Sequence, residues 1–132
     1  EEAFRRADLA TLSAESVADL LAELIEMIRA DPVVTKVLAD EVDLLGPLLA
    51  DLAEMIDRVV ASVGPALAET MRAGLLAHRD ARAVAGWLTR VGATCIVAPP
   101  PGDLRAFLAE VVVPVLAGPH SGGRRSAGRR RR

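Results

Sequence analysis

His78, Arg79 and Asp80 stand consecutively, and an imidazole beside a carboxylate can in principle move a proton. The simpler account is a loop histidine next to a carboxylate that caps the helix after it. His120, the only other histidine, is far along the chain, and Cys95 is the single cysteine. No intrachain disulfide and no multi-cysteine metal site can therefore form, and the histidines suggest no metal. No Ser/His/Asp arrangement stands out and no glycine-rich phosphate loop follows a strand. The carboxylates fall on the wet sides of helices. Neither catalysis nor a cofactor is expected.

Binding chemistry has more to work with. Trp87 is the only tryptophan, and Phe4 and Phe107 complete the aromatics. Trp87 could wall a pocket or pack between helices equally well. Met27, Met55 and Met71 could form a pliable apolar pocket, although gap-filling in a core explains them too. Thr94 and Cys95, at least a turn beyond Trp87, could touch a ligand or be small core residues. Arg90 could orient a carboxylate, pair with an acid at an interface, or make an ordinary ion pair.

The elements that must position these residues are helical. Apolar residues make up 52% of the 132, nearly all Ala, Leu, Val and Ile, and aromatics only 2%. Leucine and alanine favour helix, and the shortage of aromatics and threonine argues against a sheet. The spacing predicts an all-α antiparallel bundle of five to six helices. Ser13 is the expected N-cap of a helix over 14–30, whose apolar face is Val17, Leu20, Leu21, Leu24 and Ile28. Asp31-Pro32 starts a short helix to about Asp40. Residues 41–47, with Gly46-Pro47, read as a turn or break. From Leu48 a helical period runs through Leu52, Met55, Ile56, Val59, Val63, Leu67 and Met71. A kink or a junction of two helices is expected at Pro65, and an end at Ala73-Gly74. Asp80 caps a helix over 81–97, terminated by Pro99-Pro100-Pro101. Asp103 caps the last helix, which Pro114 is expected to kink or end. Residues 1–12 read as the end of an earlier helix, with Glu1/Arg5 and Glu2/Arg6 as four-apart ion pairs.

Charge is unevenly spread. Residues 1–120 hold all 18 acidic residues against ten basic ones, a net charge of −8, whereas the last twelve residues carry six arginines. An acidic body repels a phosphate backbone, so it is not expected to bind nucleic acid by itself. The segment 118–132 is expected to be a disordered Arg-rich tail, without the aromatics that stack on bases. No apolar run reaches the roughly 18 residues of a membrane span. The charged start, EEAFRRAD, does not resemble a signal peptide. The lone cysteine fits a reducing cytoplasm.

Two stretches carry a family resemblance. ADPVVTKVLADE (30–41) resembles the short helix after the first long core helix of tetracycline-repressor (TetR) type regulators. WLTRVGATCIVAPPPGDLRAFLAEVVVPVL (87–116) is similar to the end of that core as actinobacterial members show it. The matching positions are Trp87-Leu88-Thr89-Arg90, then a Pro/Asp loop, then Leu104-Arg105-Ala106-Phe107-Leu108 and Val113-Pro114-Val115-Leu116. The chain departs from the family in the turn before the Trp helix. There it reads Gly74-Leu75-Leu76-Ala77-His78-Arg79-Asp80 in place of Gly-x-Leu-Arg-x-Asp.

The resemblance implies an effector-binding and dimerisation domain over 13–117, with 1–12 the end of a linker helix. The helix-turn-helix would lie before Glu1, outside this sequence. It also implies a homodimer whose last two helices pack as a four-helix bundle, with Val84, Leu88, Leu104, Phe107, Leu108, Val111, Val112 and Val115 at the interface. Ala106, Ala109 and Val113 supply a second, small-residue face. An apolar or amphipathic effector would be lined by Leu24, Ile28, Met55, Val59, Met71, Trp87, Val91 and Cys95. The rival reading is a free-standing helical module that holds another protein through its final helix.

Overall fold

In a computed structural model the described residues are 12–40, 43 and 45–118; the expected helix before Leu12 and the arginine tail lie outside them. Among these residues there are five helices and no strand: α1 Ala14–Ala30, α2 Pro32–Asp40, α3 Leu45–Arg72, α4 Ala81–Val97 and α5 Leu104–Ala117. The chain is an all-α bundle. No helix among the described residues is long and apolar enough to cross a membrane.

The helix starts are fixed by local side-chain acceptors for N–H groups that no helical carbonyl can reach. Ser13 Oγ accepts from the Ser16 N–H at 3.1 Å, and Asp31 Oδ1 from Val33 at 2.8 Å. Asp80 accepts from both Arg82 and Ala83, and Asp103 from Ala106. The end of α3 is a Schellman turn. Gly74, at φ +78°, donates to the Met71 carbonyl, and Leu75 donates to that of Thr70.

Prolines interrupt less than their chemistry suggests. Gly46-Pro47 is no break but lies in the first turn of α3, where a proline lacks only an N–H that has no helical partner. Pro65 sits within one continuous helix, and Pro114 is followed by three more helical residues. In both places the proline and the residue four before it are exposed, so water can satisfy the freed carbonyl.

Packing centres on α1, which lies against α5, α4 and α2, while α3 packs on α4. The buried row of α1 is Ala14, Val17, Ala18, Ala22 and Ile25; Leu20, Leu21, Leu24 and Ile28 are only half-buried. The buried row thus mixes three alanines with Val17 and Ile25, and the leucines flank it. Small residues on the partner answer them. A Cβ on Gly92 of α4 would stand 3.2 Å from Leu21 Cδ1, and one on Gly86 would stand 3.7 Å from Val60 Cγ2 of α3.

Polar ties set the directions. Arg29, in the last turn of α1, donates to the Ile96 carbonyl at 2.8 Å and the Cys95 carbonyl at 3.4 Å, at the C-terminal end of α4. Arg105, at the start of α5, pairs with Glu26 at 3.1 Å and Asp19 at 3.8 Å. At the other end of α5, Ala77 N–H and Arg79 Nε donate to the Leu116 and Val115 carbonyls. Hence α4 runs alongside α1 in the same direction, and α5 runs opposite to both.

Candidate functional site

Because α1 holds α4 and α5 as neighbours, the outward flanks of the last two helices bound an open groove. Its volume is about 270 Å³, and its walls are Trp87, Arg90, Val91, Thr94 and Cys95 from α4, with Phe107 and Val111 from α5. On α4 the spacing Trp87, Val91, Cys95 repeats every four residues. Phe107 and Val111 do the same on α5, so each wall is one helix row.

The lining is mostly apolar, and its polar groups are largely committed. The Thr94 hydroxyl donates to the Arg90 carbonyl at 2.9 Å. Cys95 is buried, and burial pushes its thiol above the ordinary value, so it remains a neutral, weakly polar group. The Arg90 side chain is exposed, and its guanidinium lies back over Gly86 on the preceding turn. Such a site can bind an apolar surface beside one positive charge. It offers no proton-transfer pair.

A second concavity of about 270 Å³ lies along α1, edged by Leu12, Ser16, Asp19, Leu20 and Glu23. It is open and polar, and three of its side chains face solvent.

The residues anticipated as an effector lining do not form one set. Trp87, Val91 and Cys95 share the groove. Met71 is 5% exposed inside the core, Met55 is 43% exposed on α3, and Leu24, Ile28 and Val59 are half-buried; none of these five edges the groove.

The anticipated interface set also divides. Leu108 and Val112 are 0% exposed, and Val84 and Leu88 are buried as well. These four belong to the chain's own core, and a docking chain would find almost no surface on them. The other four, Leu104, Phe107, Val111 and Val115, stay half-buried. Phe107 and Val111 were thus expected to face a partner, and Trp87, Val91 and Cys95 a ligand, yet all five bound one groove. Their shared i, i+4 spacing was visible; the side-by-side placement of the two rows was not.

The His78–Arg79–Asp80 corner is committed to structure. Asp80 caps α4 and Arg79 holds the end of α5, while His78 is exposed between them. Among the described residues no group of three or more His, Cys, Asp or Glu side chains could hold a metal ion. Comparison with family models, with curated proteins and with solved structures finds no match to this chain.

Proposed function

We propose that this chain is the effector-binding and dimerisation domain of a TetR-type transcriptional regulator, acting as a homodimer in the cytoplasm. One observation carries the reading: the last two helices present an apolar groove, with Trp87 and Phe107 half-buried in its walls. Aromatic side chains left partly wet are typical anchors of interfaces and ligand sites. The motif similarity over 87–116 falls on these same two helices.

In this reading the domain does no chemistry. Its effector is a small apolar or amphipathic molecule, and DNA is contacted by a helix-turn-helix elsewhere in the regulator. Such a ligand acts only if it binds one arrangement of the dimer more tightly than the other. The groove is open rather than enclosed, so it suits a ligand or helix that covers it, not one sealed within a chamber.

Light scattering of the full chain at micromolar concentration tests the dimer, and a monomeric mass is the result that defeats it. Trp87 gives the effector its own readout, as the sole tryptophan and a wall of the groove. Titration with apolar acids and aromatics is expected to shift its emission with saturation. Flat titrations, with no bound species in native mass spectra, would remove the sensing role and leave only self-association.

A further inference from the structure

We propose that the groove between α4 and α5 takes an apolar monocarboxylate, its anionic head on the Arg90 guanidinium and its body along the Trp87 and Phe107 rows. This rests on the effector reading above and names the chemical class of the effector.

Seven arginines lie among the described residues, and five of them are engaged. Arg29 and Arg79 donate to carbonyls of α4 and α5, and Arg105 pairs with two acids of α1. Arg58 and Arg72 pair with Glu54 and Glu69 on their own helix. The side chains of Arg82 and Arg90 have neither an ion pair nor a hydrogen-bonded acceptor among the described residues.

These two idle cations serve different places. Arg82 lies toward α3, with its Cγ 3.8 Å from where a Cβ on Gly64 would stand, and it does not line the groove. Arg90 does line it, as its only charged residue. Its Nη1 is 2.9 Å from where a Cβ on Gly86 would stand, so the glycine leaves room for the charge to lie along α4. No acidic residue lies on α4, and Glu110, the one acid of α5, is not among the groove walls.

The rest of the lining selects the anion. Trp87, Val91, Phe107 and Val111 offer apolar surface, the Thr94 hydroxyl is spent on the Arg90 carbonyl, and the Cys95 thiol is neutral. What remains is one planar fork of N–H donors, which a carboxylate meets with two parallel bonds. A phosphate dianion calls for further charge, and no second cation lines the groove. A neutral head gains no charge-assisted bond, and an amine is repelled.

The test titrates the full chain with phenylbutyrate, its amide and the matching amine, which share one apolar body and differ in the head. Binding is read by Trp87 emission and by calorimetry. The acid is expected to bind about tenfold or more tightly than the amide, and the amine more weakly still. R90Q is expected to bring the acid down to the affinity of the amide while leaving the amide unchanged. R82Q is expected to alter neither, and far-UV circular dichroism reports retained helicity for both variants. Equal binding of acid and amide by the wild type would overturn the carboxylate class and leave an apolar effector standing. Acid and amide weakened alike in R90Q would overturn the guanidinium contact, as would an R82Q effect equal to that of R90Q. No binding of any of the three would overturn the proposal together with the effector reading.

Discussion

The two sides of α5 are similar in composition and opposite in surroundings. Leu108, Val112 and Leu116 face α1 and are wholly buried, whereas Phe107 and Val111 remain half-exposed on the groove side, beside the exposed Ala106 and Pro114. The helix carries only two charged residues in fourteen, one for each side: Arg105 reaches back to α1 and Glu110 stays in solvent. A helix that served only its own core would carry a polar outer face. The inward row stabilises this chain, at about 1.5–3 kcal/mol for each fully buried leucine or valine. The outward row is only partly covered within the chain: Phe107 packs against the edge of the core, whereas Val111 is half-buried outside that cluster.

The strongest way to break this comparison is to truncate one residue on each side. Leu108→Ala is expected to lower the unfolding free energy by about 2–5 kcal/mol, because the surrounding helices cannot close over the cavity. Val111→Ala, measured at a dilution where no dimer forms, is expected to cost less than about 1 kcal/mol. Equal losses in urea titrations would erase the distinction between core and groove.

A smaller effect is expected at Gly118, where the chain leaves α5. Its φ is +75°, and an added Cβ would come within 2.8 Å of Ala77 Cβ, whereas nothing lies within 4 Å of a Cβ on Gly46. Gly118→Ala is expected to cost about 1–3 kcal/mol through left-handed strain and the clash. Gly46→Ala is expected to be neutral or slightly stabilising. Thermal unfolding of the two variants separates them, and a neutral Gly118→Ala would mean that the α5 end is loosely held.

The smallest effect sharpens where the groove ends and the core begins. Cys95 edges the groove yet is buried, and its thiol is raised above the ordinary value of 9.0 by that burial. Its contribution to stability is therefore fully present below that ordinary value and is lost as pH rises through the raised one. A serine hydroxyl does not ionise in this range, so the stability difference between wild type and Cys95→Ser is expected to be constant at lower pH and to change only above about pH 9. Disulfide-exchange reagents at neutral pH are expected to label the folded chain far more slowly than the unfolded one. Rapid labelling of the folded chain would place the thiol on the open side.

Much of the backbone was legible in the sequence, because its signals are local. Ser13, Asp31-Pro32, Asp80 and Asp103 mark helix starts through bonds that span two or three residues, and Gly74 marks an end through its left-handed conformation. What periodicity does not tell is which of two apolar rows faces inward. Leu104, Phe107, Leu108, Val111, Val112 and Val115 form one unbroken helical series, and only α1 divides it into core and groove. The same blindness hid the three alanines in the buried row of α1, since alanine is unremarkable until another helix lies against it. Met55 and Met71 share one helix and one residue type, yet Met71 is buried and Met55 exposed. The ties made by Arg29 and Arg105 join residues more than sixty positions apart, and no local pattern announces them.

The hold on the end of α5 has a mechanical consequence. A terminal helical turn ordinarily frays, since its last carbonyls have only water to bond. Here two donors from the α3–α4 connector, 36 and 39 residues upstream, occupy the Val115 and Leu116 carbonyls. Amide exchange near this terminus should accordingly be slow for a helix end. The last turn of α5 is thus clamped to the bundle at both of these carbonyls.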